Sequence, residues 1–195
     1  GALLIFDEVQ AGFGRTGRMF GFEHYGVVPD LACFGKGISG GLPLSALAGT
    51  DELMEMYGPG EMTSTHSANT ICCAAALANI EVILDEGLVA NAARLEPVLL
   101  DAGRRMLEAS GGRIGRADGR GLVMAFQFVE PGTTTPDPDA AFDVVRSAVE
   151  QGVMLFAPVG VGGGAIKINP PLGIPEDMLR EGLAVLEGIV RKRCV

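Results

Sequence analysis

Gly1–Phe6 (GALLIF) is an unbroken apolar run that stops abruptly at Asp7-Glu8. A half-exposed strand alternates polar with apolar side chains, so a continuous run of this length reads as a strand buried on both faces. That is the condition of a parallel sheet covered by helices. No Met and no basic residue precede the run, so it does not read as a signal peptide. An opening in mid-strand instead suggests a fragment whose upstream part is not in hand.

Composition narrows the classes further. With 48% hydrophobic residues among 195, the chain can bury a sizeable core. A formal charge of −9 repels a phosphate backbone and disfavours nucleic-acid binding. The one basic cluster, Arg191-Lys192-Arg193, reads as a solvated tail. No stretch reaches the roughly 18 apolar residues of a membrane-spanning helix. Cys33, Cys72, Cys73 and Cys194 show no paired spacing, and the adjacent Cys72 and Cys73 are poorly placed to bridge each other. Cys33, Cys72 and Cys73 lie in apolar surroundings and read as small buried hydrophobes, and the cysteine usage points to a reducing, cytoplasmic compartment. His24 and His66 are the only histidines, which leaves no ligand spacing for zinc.

Strands are expected at 2–6, 31–34 and 44–48, each bounded by Gly, Pro or Asp. A helix over 69–84 would bury Ile71, Ala75, Ala78 and Val82, with Ser67 or Asn69 as its cap. The stripe Leu88, Ala92, Leu95, Leu99, Ala102, Met106 predicts a long second helix, kinked or broken at Pro97. Further on, strands are expected at 121–129, 153–156 and 165–168. A helix capped by Asp137 or Asp139 would bury Phe142, Val145 and Val149. A last helix after Pro175 would bury Leu179, Leu183, Leu186 and Val190. The pattern implies an α/β domain over 1–87 followed by a smaller α+β domain over 88–195.

Two glycine-rich motifs invite a nucleotide reading and fail it. Gly12, Gly14 and Gly17 form G-x-G-x-x-G, but the following RMFGFEHYGVVPD carries no amphipathic helix for the third Gly to open. Lys36 fails as a P-loop lysine, because Gly37 stands where Ser or Thr is needed. Asp7 and Lys36 are more informative as a pair. Each lies at the carboxyl end of an expected strand, where ligands gather in open α/β sheets. A Lys among Gly35, Gly37, Gly40 and Gly41 is unobstructed and open to covalent use. Amine plus carboxylate suits pyridoxal phosphate, although a structural Asp–Lys ion pair is the other reading of the same spacing.

LIFDEVQAGFGRTG (4–17) with DLACFGKGISGG (30–41) closely resembles the class III pyridoxal-phosphate aminotransferases, among them the 4-aminobutyrate, ornithine and acetylornithine enzymes. The resemblance continues through THSANTICCAAALANI (65–80), GRGLVMAFQF (119–128) and KINPPLGIPEDMLREGL (167–183). It implies a fold-type I, aspartate aminotransferase-like architecture: the later part of a large cofactor-binding domain, then the small domain. It also implies a long upstream portion carrying the phosphate loop and a ring-stacking aromatic, so that this stretch alone would be inactive.

Residue by residue, Lys36 matches the Schiff-base lysine and Asp7 the carboxylate at the pyridine nitrogen. Gln10 matches the residue near the ring's phenolic oxygen. Thr65 matches a Thr that reaches the cofactor phosphate of the neighbouring subunit, which implies a homodimer. Many members carry a carboxylate-clamping Arg where Lys167 stands, and Lys lacks the planar fork that holds a carboxylate in two places. The implied reaction moves an amino group from a primary amine or ω-amino acid to a 2-oxo acid. Elimination, racemisation or decarboxylation on the same cofactor, or an inert fragment, stays open. Glu8 and Arg15 read as a local charge pair or loop anchors.

Overall fold

The computed structural model describes residues 1–193, and Cys194 therefore lies outside the described residues. The chain divides into two compact units, Gly1–Asn91 and Ala92–Val195.

The first unit is built on a three-stranded sheet in the order β1 (Ile5–Asp7), β2 (Leu31–Phe34), β3 (Ala46–Gly49). β1 and β2 are parallel, with Ile5 opposite Leu31 and Asp7 opposite Cys33, while β3 runs antiparallel to β2. The expected burial of the opening run is corrected here. Leu3, Leu4 and Ile5 are 56%, 42% and 57% exposed, because β1 pairs on one edge only and the unit lays nothing over these side chains.

Between β1 and β2 the chain folds a set of aromatic rings inward. Phe13, Phe20 and Phe34 stand 5.2–5.8 Å apart in edge-on and tilted pairs, the arrangement that ring quadrupoles favour. They pack with Ile38, Ala76 and Ile83 into this unit's core. After the short α1 (Asp51–Met54), α2 (Thr70–Asp85) begins at Asn69, whose side-chain oxygen accepts the N–H groups of Ile71 and Cys72 at 3.0 and 3.2 Å. α2 buries Cys72, Ala76 and Ile83 rather than the expected stripe, and Ile71 is 71% exposed. A helix that is apolar nearly all round offers more than one candidate stripe, so its sequence does not choose the face.

The division between the units falls inside α3 (Leu88–Ala109). That helix continues through Pro97, contrary to the expected break. Pro in a helix interior costs about 3 kcal/mol, but burying each large apolar side chain returns roughly 1.5–3 kcal/mol. Here Ala92, Leu95, Leu99, Ala102 and Met106 are all essentially inaccessible.

In the second unit β4 (Ile114–Arg120), β5 (Val123–Phe128) and β6 (Ala165–Ile168) form an antiparallel sheet in chain order. β5 alternates strictly, burying Met124, Phe126 and Phe128 against α3, α4 (Pro138–Glu150) and α5 (Glu176–Arg193). Asp137 caps α4 by accepting the Ala140 N–H at 2.9 Å. α4 buries Ala141, Val144, Val145 and Ala148, whereas Phe142 and Val149, expected inside, are 54% and 52% exposed. α5 buries Leu179, Leu183, Leu186 and Val190 as expected. Arg191–Arg193, read as a solvated tail, are exposed but helical, forming the last turn with the cations at the negative end of the helix dipole. Residues 153–156 join no ladder, so the strand expected there is absent.

Candidate active site

Strand alternation sends Asp7 and Glu8 to opposite faces at the tip of β1. Asp7 is exposed, and its Oδ1 accepts the Val9 N–H at 3.0 Å, a local turn that fixes the carboxylate at the strand end. Glu8 is 1% exposed, and its two carboxylate oxygens accept the N–H groups of Gly21 and Phe22 at 2.8 Å each. Its backbone N–H donates to the Cys33 carbonyl at 2.9 Å, and its carbonyl accepts the Gly12 N–H at 2.9 Å. Glu8 is thus a loop anchor, tying the segment after β1 both to β2 and to the start of the 3-10 turn Gly21–Tyr25.

The glycines of the G-x-G-x-x-G stretch serve this loop. A Cβ on Gly12 would lie 2.8 Å from the Glu8 carbonyl oxygen. Gly14 and Gly17 have φ of 91° and 81°, and Gly17 opens no helix. Gln10 lies half-buried in the same loop. Arg15 is sequestered there too, and that burial pushes its guanidinium pKa below the ordinary value.

Lys36 follows the end of β2 and begins a 3-10 turn, Lys36–Ile38. Gly35, just before it, is buried and extended, and a Cβ there would meet the Val9 side chain at 3.3 Å. Lys36 itself is exposed and has φ of 43°, a left-handed conformation that costs a residue with a Cβ about 1–2 kcal/mol. Such strain persists where surrounding contacts over-determine it, and it concentrates at functional positions. Asp7 and Lys36 therefore stand at the carboxyl ends of two strands paired in parallel, which run about 4.8 Å apart.

The other sequence-derived candidates, Thr65 and Lys167, belong to other segments of the chain. Thr65 and His66 occupy an exposed turn held by Ser67, whose hydroxyl donates to the Ser64 carbonyl at 2.6 Å and accepts the Ser64 N–H at 3.0 Å. Lys167 belongs to the second unit, on β6 opposite Ala125. It borders a groove of about 220 Å³ lined also by Phe156, Pro170, Ile174 and Met178. Sequence reasoning missed Asn79 altogether; its side-chain amide, on α2, donates to the carbonyls of Gly37 and Ile38 at 2.7 and 3.3 Å. Cys33, Cys72 and Cys73 are free thiols. Among the described residues no cluster of three or more His, Cys, Asp or Glu side chains suits a metal ion. No described helix is long and apolar enough to cross a membrane.

The class III aminotransferase family model matches residues 1–190. This chain belongs to the class III aminotransferases. It is 42% identical over 188 residues to a 4-aminobutyrate aminotransferase of Mycobacterium leprae, a match covering 96% of this chain and 42% of that protein. Identity is 41% over 187 residues to the 5-aminovalerate aminotransferase DavT of Pseudomonas putida, covering 96% and 44%. Among solved structures, acetylornithine aminotransferase from Elizabethkingia anophelis superposes with a TM-score of 0.86 at 31% identity, over 98% of this chain and 46% of that one. The chain spans less than half the length of the curated relatives it matches. Its fold is accordingly part of a fold-type I α/β architecture.

Membership implies pyridoxal 5'-phosphate as cofactor. The donor set suits that group, with one accessible amine for its aldehyde and one carboxylate on the neighbouring strand end for its ring nitrogen.

Proposed function

We propose that the full-length protein is a pyridoxal-phosphate-dependent aminotransferase that moves an amino group from a primary amine or ω-amino acid to a 2-oxo acid. The observation that carries this reading is Lys36 held at a left-handed φ one strand over from Asp7, both at strand carboxyl ends. The names of the relatives, for 4-aminobutyrate and 5-aminovalerate, support an ω-amino donor.

The bound cofactor supplies an exchangeable aldehyde and a ring that accepts electrons. Lys36 would hold it covalently, and its Nζ, when free, would take the proton from the substrate carbon and return it elsewhere. Asp7 would keep the ring nitrogen protonated, an ion pair that gains strength as water is excluded. Gln10 would bond near the phenolic oxygen. Thr65 would reach the phosphate in the neighbouring subunit of a homodimer. Lys167 attracts a substrate carboxylate as a point charge, a weaker orienting device than a guanidinium fork.

In this reading residues 1–87 are the later part of the large cofactor domain and 88–195 the small domain, in a cytoplasmic enzyme. The 195-residue stretch by itself is inactive, because the phosphate loop and stacking aromatic belong to the upstream portion.

Borohydride reduction of the full-length protein loaded with pyridoxal phosphate tests the reading. A pyridoxyl adduct on the peptide containing Lys36 is expected, and Lys36→Ala should abolish both adduct and transamination. An adduct on another lysine, or none, overturns the assignment. Elimination, racemisation and decarboxylation begin with the same covalent hold, and stoichiometric consumption of a 2-oxo acid separates transfer from all three.

A further inference from the structure

We propose that Asn79 is a positioning residue for Lys36: its side-chain amide, reaching across from α2, holds the strained turn that presents the lysine amine. The proposal rests on the reading of Lys36 as the cofactor lysine.

Three observations converge on it. Lys36 has φ of 43°, so the turn tends to relax unless something restrains it. Within the turn the restraint is slight, a single bond from the Ile38 N–H to the Gly35 carbonyl at 3.1 Å. Asn79 adds the long-range restraint, donating from Nδ2 to the carbonyls of Gly37 and Ile38, the two residues after the lysine. The fit is close, since a Cβ on Gly40 would lie 3.2 Å from the Asn79 Oδ1.

The residue type is informative in itself. Asn79 lies on the side of α2 that buries Cys72, Ala76 and Ile83, where an apolar residue would pack better and favour the helix more. Two carbonyl partners account for an amide in that stripe. Because those carbonyls belong to the turn itself, loss of the donor should shift the reactive amine rather than merely loosen α2.

Two substitutions in the full-length holoenzyme test this. Asn79→Asp keeps the shape but replaces the donor with an acceptor facing two carbonyls. Asn79→Leu removes the donor without adding charge and guards against failure of the first variant to fold. Both should speed amide exchange at Ile38 and Ser39 by at least tenfold. Both should shift the pH midpoint of the absorbance of the Lys36-bound cofactor and lower kcat tenfold or more, with KM changed less than twofold. Variants that lose thermal stability yet keep the parent midpoint and kcat would overturn the proposal, leaving Asn79 as packing alone. If the unsubstituted protein forms no adduct at Lys36, the aminotransferase reading fails by itself, while the exchange data still report whether Asn79 holds the turn.

Discussion

Asp7 lies directly opposite Cys33 in the parallel ladder of β1 and β2, and Cys33 is three residues ahead of Lys36. One register thus sets both the carboxylate and the approach of the lysine, and a slip of one residue would turn either group to the wrong face.

Asp7→Asn should keep the cofactor but lower kcat by roughly 100-fold, about 2.7 kcal/mol in the barrier, since an amide cannot hold a proton on the ring nitrogen. Steady-state kinetics on the full-length protein check this; parent-like turnover would contradict the assigned role.

Glu8→Ala leaves the buried N–H of Gly21 and the part-buried N–H of Phe22 without their acceptor. A cost of about 3 kcal/mol or more is expected in urea unfolding, with Glu8→Gln losing roughly half as much because one oxygen remains. An Ala variant as stable as its parent would remove Glu8 from the anchoring role.

Gly103 sits in α3 beneath Met124, and an added Cβ would run into the Met124 thioether. In an open helix Gly→Ala would gain about 1 kcal/mol. Here overpacking should reverse the sign, so Gly103→Ala is expected to destabilise by about 1–3 kcal/mol. Adding Met124→Ala should make the same change neutral or favourable, a coupling that a double-mutant cycle reads directly.

Glu176 accepts hydrogen bonds from Arg180 and Arg94, at 2.7 and 2.6 Å, and these hold its carboxyl below the usual glutamate range. A folded pKa below the unfolded one adds stability at pH above the unfolded value, and that stability is lost as pH falls through the folded one. Glu176→Gln should therefore be less stable than the parent at neutral pH. The gap should close in acid and shrink in high salt, because all three side chains are solvated. Melting curves across pH at two ionic strengths check both trends.

Much of this was legible in the sequence because the signals were local. Residues 31–34 and 165–168 form strands as expected, the stripe of α3 buries Ala92 to Met106 as marked with Leu88 only half-buried, and that of α5 buries its four marked residues. Asp7 and Lys36 stood out because strand ends and glycines flank them. β4 did not, since IGRADGR is charged and rich in glycine. Its glycines serve close packing instead, a Cβ on Gly119 coming within 2.6 Å of the Val123 carbonyl oxygen. The face of α2 was misjudged because that helix is apolar nearly all round, whereas α4 has one clear stripe, of which Val145 was marked correctly while Phe142 and Val149 lie off it. The roles of Glu8 and Asn79 depend on partners 13 and 42 residues away, a pairing that no spacing rule encodes.

The order of the two acids at the tip of β1 therefore carries information that composition and net charge do not. A chain reading Glu-Asp there would have the same mass and the same formal charge, yet its inward arm would fall a methylene short of its two amides and its outward arm would overshoot. Side chains usually treated as interchangeable are, at these neighbouring positions, a length code.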